Sequence, residues 1–410
     1  MRRFINASQK IGYWTIVMHL IGGAAMAEPL ADSEHQAPPP SPPTVEQEPL
    51  PLEQQPQKDA VKAGMSEWAY HKTGDSAHPN GNEQQMLWLL NRARVNPSQE
   101  GYWLAIMDES DVVSARSYFN VNLTVLQDEF DSYTAKPPAA FDSRLYEAAR
   151  LHNLYLITED TQSHDGQVEL VQAQDFHFQY WRGNVYSYSK SAVYGHVGFN
   201  IDWGSGTDDG MQDPRGHRMG IMSIDHNYSN VGIAVTPENN AGTSVGPLVV
   251  TQNFCTALAY FPDHSNRFIV GTVWQDANNN DQYDPGEGLA GVQVMPDGGS
   301  YYAVTADSGG YAFPVETGTY DLVFSGGMLE ASHSITVEVL AESVLVDYKL
   351  PPLPGNINSD EVVDLTDAMI VLRMLTGQTS GTTVELNADV DGNGYLGMPD
   401  VLYILQQVAE

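Results

Sequence analysis

Three stretches of the chain space oxygen-bearing side chains as a hard cation requires. Asp389, Asp391, Asn393, Gly394 and Asp400 fall at positions one, three, five, six and twelve of one loop. Calcium takes six to eight oxygen ligands, and this spacing wraps carboxylates around one point. Tyr395 adds a backbone carbonyl at position seven, and Gly394 permits the sharp turn. Asn356, Asn358, Asp360, Asp364 and Asp367 stand at positions one, three, five, nine and twelve of an earlier loop, with Glu361 in place of the glycine. The uncharged Asn356 and the missing glycine predict weaker binding there. Asp276, Asn278, Asn280, Asp284 and Glu287 form a third set, to which Gln282 could add a carbonyl. The alternative is a solvated acidic turn for the first two and a plain polar hairpin loop for the third.

The middle of the chain carries no standard catalytic signature. His-Glu-x-x-His, Gly-x-Ser-x-Gly and a nucleotide loop are all absent. Ser163-His164-Asp165 is not a relay triad, because sequence neighbours do not generally stack side chains in relay order. His152 falls on an apolar helix face, and His196, Phe199 and Trp203 fall on one helix stripe, so packing is expected for all four. Cys255 ends a buried-looking strand and reads as a small core residue rather than a nucleophile. Arg218 is expected to anchor its loop.

These residues need elements to hold them. Met86, Leu90 and Ala93 share a face of a helix over 83–94, which Pro97 ends; a second helix is expected over 144–157 and a third over 191–203. Alternation at Val231, Ile233 and Val235 and the run 248–254 predict a closing hairpin. Over 266–350, seven short alternating runs (269–274, 292–295, 301–305, 311–313, 320–324, 335–339 and 344–348) predict a β-sandwich. Pro351-Pro352-Leu353-Pro354 is a stiff spacer. Beyond it a loop–helix unit occurs twice, since Asp389 follows Asn356 by 33 residues.

The paired C-terminal unit, with Asp at position twelve of both loops, resembles a type I dockerin over 355–410. That resemblance implies a small all-α, EF-hand-like paired-loop domain that binds Ca2+ and docks on a cohesin-like or other surface or scaffold protein. Family contacts would sit at Leu365 and Thr366 and at Met398 and Pro399, where the usual Ser/Thr pair is absent. The loop at Asp276, with Gly271, Trp274, Gly291-Val292, Gly310-Tyr311 and Gly318-x-Tyr320, resembles the B-type repeats of bacterial surface adhesins. It implies an immunoglobulin-like calcium-binding sandwich over 266–350. Lys349, the only lysine of that stretch, lies at its far end, so no isopeptide crosslink is expected.

Over 66–262, an ordered series resembles a bacterial CAP domain, of the cysteine-rich secretory, antigen 5 and pathogenesis-related-1 superfamily. The series is Leu90-Asn91-x-Ala93-Arg94, Leu145-x-x-Ala148-Ala149, Ser163-His164-Asp165-Gly166, Gly216-His217-Arg218-x-x-Ile221-Met222, Val231-Gly232-Ile233 and Thr251-Gln252-Asn253-Phe254. The resemblance implies a three-layer α–β–α sandwich of α+β class. Its cleft would hold two histidines, matched by His164 and His217, and two acidic residues. Such a pair could bind Zn2+ or another divalent ion, or share proton transfer; the alternative is that each only bonds its own loop. The place of the family's Glu-Asn pair is matched best by Gly183-Asn184, with Phe199-Asn200 the second option, and neither supplies a carboxylate. Asp208, Asp209 and Asp213 are the candidate replacements.

Composition narrows the function. The net charge is −33, from 19 basic and 52 acidic residues, which argues against nucleic acid and anionic membranes as partners. Only 17% of residues are charged and 42% are apolar, enough for real cores. One cysteine excludes an internal disulfide. Arg2, Arg3 and Lys10, an apolar run over 11–21 and Ala25-Met26-Ala27 predict a signal peptide over 1–27, cleaved in an exported bacterial protein with no membrane span. The Pro-, Glu- and Gln-rich stretch 28–65 reads as a disordered linker. The expectation is a secreted modular binding or assembly protein whose CAP cleft takes an unknown ligand. The rival is an extracellular hydrolase, a protease or a polysaccharide- or wall-acting enzyme, delivered by the dockerin.

Overall fold

A computed structural model describes residues 45–46, 64–278, 280–329, 331–350, 354–358, 362–378, 389–390 and 393–409. The expected signal peptide, most of the expected linker, and Asp360, Glu361 and Asp391 lie outside them. The chain is a multidomain α+β protein with several mixed sheets and a C-terminal helical region. Among the described residues no helix is long and apolar enough to cross a membrane.

The first sheet runs in the order β1 (Val45–Glu46), β4 (Phe178–Ser189), β6 (Leu248–Ala257), β5 (Asn230–Pro237), β3 (Ala140–Phe141). β4, β5 and β6 are antiparallel, and β3 joins β5 in parallel. Both faces are covered by helices. On one face α5 (Ser143–Thr158) and α6 (Gln167–Gln172) bury Leu145, Ala148 and Val171 against Trp181, Cys255 and Ala257. On the other, α1 (Gly81–Val95), α7 (Ala192–Ile201) and α8 (Gly216–Ile221) pack on Tyr186, Val231, Ile233, Val250 and Phe254. Gly232 lets α5 lie directly on the strand, because a Cβ there would stand 2.0 Å from the carbonyl carbon of Leu145. The three helices and the hairpin expected from periodicity are all present. The twelve-residue β4 carried no alternating signal, since helices bury it on both faces and its polar residues are buried too. α2 (Pro97–Ile106), α3 (Ser110–Phe119) and α4 (Leu123–Ser132) were also not foreseen; two of them start at asparagine caps, Asn96 and Asn122.

The following strands make two sheets around one core. β7 (Phe268–Trp274) lies between antiparallel β10 (Gly310–Pro314) and parallel β13 (Val344–Leu345), and β14 (Tyr348–Lys349) also runs parallel to β7. The other sheet is β12 (His333–Val339), β11 (Gly318–Ser325), β8 (Gln293–Pro296), β9 (Tyr301–Val304) and β2 (Ser66–Glu67). Val294, Phe313, Leu322, Phe324 and Val339 fill the space between them. The single strand expected over 344–348 is split, with Val346 N–H bonding Val270 O at 2.8 Å between its halves. β2 departs from the expected boundary at residue 66. It precedes the α/β unit in sequence yet completes the later sheet, and two residues are too few to show a period. Helices α9 (Leu365–Leu375) and α10 (Met398–Ala409) form a separate core from Ile357, Ala368, Val371, Leu396, Val401 and Ile404.

Candidate functional site

The two C-terminal loops repeat the two bonds of their position-twelve aspartate. Asp367 Oδ1 accepts from Ile357 N–H at 2.7 Å, and its Oδ2 from Asp364 N–H at 2.9 Å. Asp400 Oδ1 accepts from Val390 N–H at 2.9 Å, and its Oδ2 from Gly397 N–H at 2.6 Å. Every partner moves by the same 33 residues. Both carboxylates are fully buried, so each position-twelve aspartate closes its loop onto its helix. Asp364 caps α9 through Thr366 N–H at 2.6 Å, while Asp389 holds Gly394 N–H at 2.6 Å and Asn393 holds Tyr395 N–H at 2.9 Å. Gly394 has φ +83°, the left-handed turn its position demands. Asn356 is buried at the start of the first loop, beside Asn358. The helices also expose matching apolar stripes: Leu365, Met369, Leu372 and Leu375 on one, Met398, Leu402, Leu405 and Val408 on the other.

The loop before β8 gathers its side chains around Asp284. Asp284 Oδ2 accepts from the amides of Asn278 (2.6 Å) and Asn280 (2.9 Å). Asp276 accepts from Asn280 N–H at 3.1 Å and Asp281 N–H at 3.0 Å. Glu287 closes the base through Ala277 N–H (3.0 Å) and Asp284 N–H (2.8 Å). Lys349 sets an ammonium 3.0 Å from Asp276 and 2.5 Å from Asp281, so these carboxylates already face a cation. Among the described residues no three His, Cys, Asp or Glu side chains are arranged to hold a metal. The expected sets draw part of their ligands from Asn amides and backbone carbonyls, and Asp360 and Asp391 lie outside the described residues. The donors are hard oxygens throughout, which fits calcium and no softer metal.

The α/β unit gives His164 and His217 separate hydrogen-bond partners. His164 donates from Nδ1 to Gln167 Oε1 at 2.8 Å, and Gln167 bonds Asn253 Oδ1 at 3.0 Å. His217 sits beside Asn184, whose amide donates to His217 O and to Gln252 Oε1, both at 3.1 Å. Gln252 and Asn253 are neighbours on β6, so their side chains leave opposite faces. His164 therefore lies on the α5 face and His217 on the α8 face. A shared zinc site at His164 and His217 has no support in this arrangement.

Each histidine has a partner of its own that the sequence hid. Asp202, at φ +58° on the C-terminus of α7, accepts from His217 Nδ1 at 2.7 Å and from His217 N–H at 3.0 Å. Both residues are fully buried, and His217 Nε2 has no hydrogen-bond partner among the described residues. The candidates Asp208 and Asp213 are exposed, and Asp209 pairs with Arg215 at 2.6 Å. At Gly183 a Cβ would stand 2.5 Å from the Gln167 amide, so a glutamine fills the place where the family's carboxylate was sought. His152 is buried in the core as expected, 3.1 Å from Thr251 Oγ1; burial, and then the nearby His164, push its pKa down to about 4. His196 is also in the core, yet it is paired there: its Nε2 meets Glu100 Oε1 at 2.9 Å, and Arg92 bonds the other oxygen at 2.7 Å. Cys255 is buried, and burial drives its thiol pKa well up, as a core residue requires. Arg218 anchors its loop on Asn200 O and, at 2.9 Å, Ile201 O.

Residues 354–408 match the family described as Dockerin type I domain, so the C-terminal segment is a type I dockerin domain. Among solved structures, one similar chain comes from a complex of a type II cohesin with an X–dockerin from Acetivibrio cellulolyticus, a C-terminal interface mutant. The identity is 15%, the match covers 35% of this chain and 95% of that one, and the TM-score is 0.18. No curated protein sequence matches the chain.

Proposed function

We propose that this protein is a secreted modular binding protein held by its dockerin on a cohesin-bearing scaffold outside the cell. The dockerin match, together with the repeated bonds of its position-twelve aspartates, carries this reading. Calcium would be held by Asn356, Asn358, Asp360, Asp364 and Asp367 in one loop, and by Asp389, Asp391, Asn393, Tyr395 and Asp400 in the other. The metal supplies loop rigidity; the aspartates at position twelve tie that rigidity to the helices. The matching apolar stripes support docking through either helix face, in place of the absent Ser/Thr pair.

Titration calorimetry of the full chain against a type I cohesin module tests this reading. Binding should require calcium and vanish with chelator. Truncating the stripes one helix at a time separates the two faces. Met369→Ala with Leu372→Ala should leave binding through α10, and adding Leu402→Ala with Leu405→Ala should abolish it. Calcium-independent binding, or none to any type I or type II cohesin, would overturn the tethering role.

The α/β unit is read as a CAP-type sandwich, supported by the ordered motifs and by helices on both faces of its sheet. The strand unit is read as a B-type calcium module, supported by the spacing of oxygen-bearing side chains from Asp276 to Glu287 and by the loop they share. Ligand binding is favoured over hydrolysis, because the site lacks the expected carboxylate at Gly183. The hydrolase reading keeps one supporting observation, the buried Asp202–His217 pair. Asp202 would hold Nδ1–H and leave Nε2 as the proton acceptor. A screen of peptides and polysaccharides with His217→Ala as control decides between them; turnover lost in that variant would favour the enzyme.

A further inference from the structure

The segment before the α/β unit runs into the strand module instead. Ser66 N–H bonds Ser300 O at 3.0 Å and Trp68 N–H bonds Tyr302 O at 2.9 Å, which adds β2 to the edge of β9. Trp68 is buried edge-on against Tyr301, with centroids 4.9 Å apart, and shares the module's core with Phe268. Lys72 Nζ then donates to Val304 O at 2.7 Å. The same segment grips the α/β unit from its other side. Tyr70 O accepts from Ser143 N–H at 2.8 Å, and the Arg144 guanidinium lies 3.8 Å over the Tyr70 ring.

A second seam lies along α1. Gln84 Nε2 donates to Thr272 Oγ1 at 2.8 Å, Gln85 Nε2 to Asp284 Oδ1 at 2.7 Å, and Arg92 to Gln282 Oε1 at 3.1 Å. Gln84 and Gln85 are buried, and Trp88 meets Trp274 with centroids 6.1 Å apart. A Cβ on Gly310 would stand 2.1 Å from Gln84 Oε1, so the surfaces touch without a gap. Buried amides matched across a seam are costly to expose, since each lost partner leaves a desolvated polar group.

We infer that residues 66–72 are a strap that fuses the α/β unit and the strand module into one cooperatively unfolding body. The strand module is then no free stalk: it is completed by residues from before the α/β unit. The last described residue bonded to this body is Leu350, so the α/β unit presents a fixed face relative to that point. This inference does not depend on docking; Asp284 and Gln282 of the second seam also belong to the proposed calcium loop, so calcium is held constant in its test.

Hydrogen exchange of the full chain, with calcium held constant, reads the strap directly. Slow amides of β5 and β6 and of β7 and β11 should open with one shared free energy in wild type. Trp68→Ala should speed exchange in both groups by a common factor of about a hundred or more, the consequence of emptying a buried indole site. Where that variant does not fold, Trp68→Phe and Gln84→Leu should each shift both groups together by a smaller common factor. Faster exchange in β7 and β11 with β5 and β6 unchanged, in any of these variants, would overturn the inference.

Discussion

Asp202 and His217 form a fully buried hydrogen-bonded pair in the α/β unit. Removing one member of a buried hydrogen-bonded pair leaves the other desolvated and unmatched. Asp202→Ala is therefore expected to cost about 1–3 kcal/mol in urea unfolding. A cost near zero would mean that the pair is open to water. His152 gives a second expectation. Its folded pKa of about 4 lies below the ordinary value of 6.5, so the unfolded chain takes up the proton first. Stability from the neutral ring is whole above pH 6.5 and is lost as pH falls towards 4, by on the order of 3 kcal/mol. His152→Leu should flatten that part of the stability–pH curve; an unchanged slope would remove His152 as its source.

At the scale of the element, close approach decides more than periodicity. α5 rests on β5 where Gly232 has no side chain, and an added methyl would meet backbone rather than a movable group. Gly232→Ala should cost about 1–3 kcal/mol by overpacking, read as a lower melting temperature. In the dockerin domain, the two matching backbone bonds of Asp367 and Asp400 imply similar structural roles. Asp367→Ala and Asp400→Ala should each release the matching pair of backbone N–H groups, and Asp367→Ala also that of Asn358, and each should destabilise the domain by about 1–3 kcal/mol measured without calcium. Clearly unequal losses would show that the loops have diverged in function.

Across the whole molecule, the charge of −33 is unevenly placed. Past Pro262 the basic residues are Arg267, Lys349 and Arg373, while carboxylates gather in the three loops. Bound calcium would relieve that repulsion, so the working charge is smaller than the formal one. At constant ionic strength, calcium should raise the melting temperature of the full chain more than magnesium does, because flexible multi-oxygen loops suit the larger ion. Equal effects of the two ions would point to simple screening.

The sequence alone located the long amphipathic helices, the closing hairpin, the strand runs and the doubled loop–helix unit. Those features repeat within a few residues, and local period reports them. It could not reveal β4, whose burial on both faces erases alternation, or the strap, whose two-residue strand gains its meaning from a partner more than two hundred residues away. The candidate site divided in the same way. Loop ligands follow one another in sequence, so their spacing was legible. His217 and Asp202 are fifteen residues apart and meet only through the left-handed end of α7. His164 and His217 matched family motifs, yet one bonds Gln167 at the start of α6 and the other Asp202 at the end of α7. Tertiary structure decided these points because side-chain direction across a sheet depends on register, and register is settled between strands rather than along one.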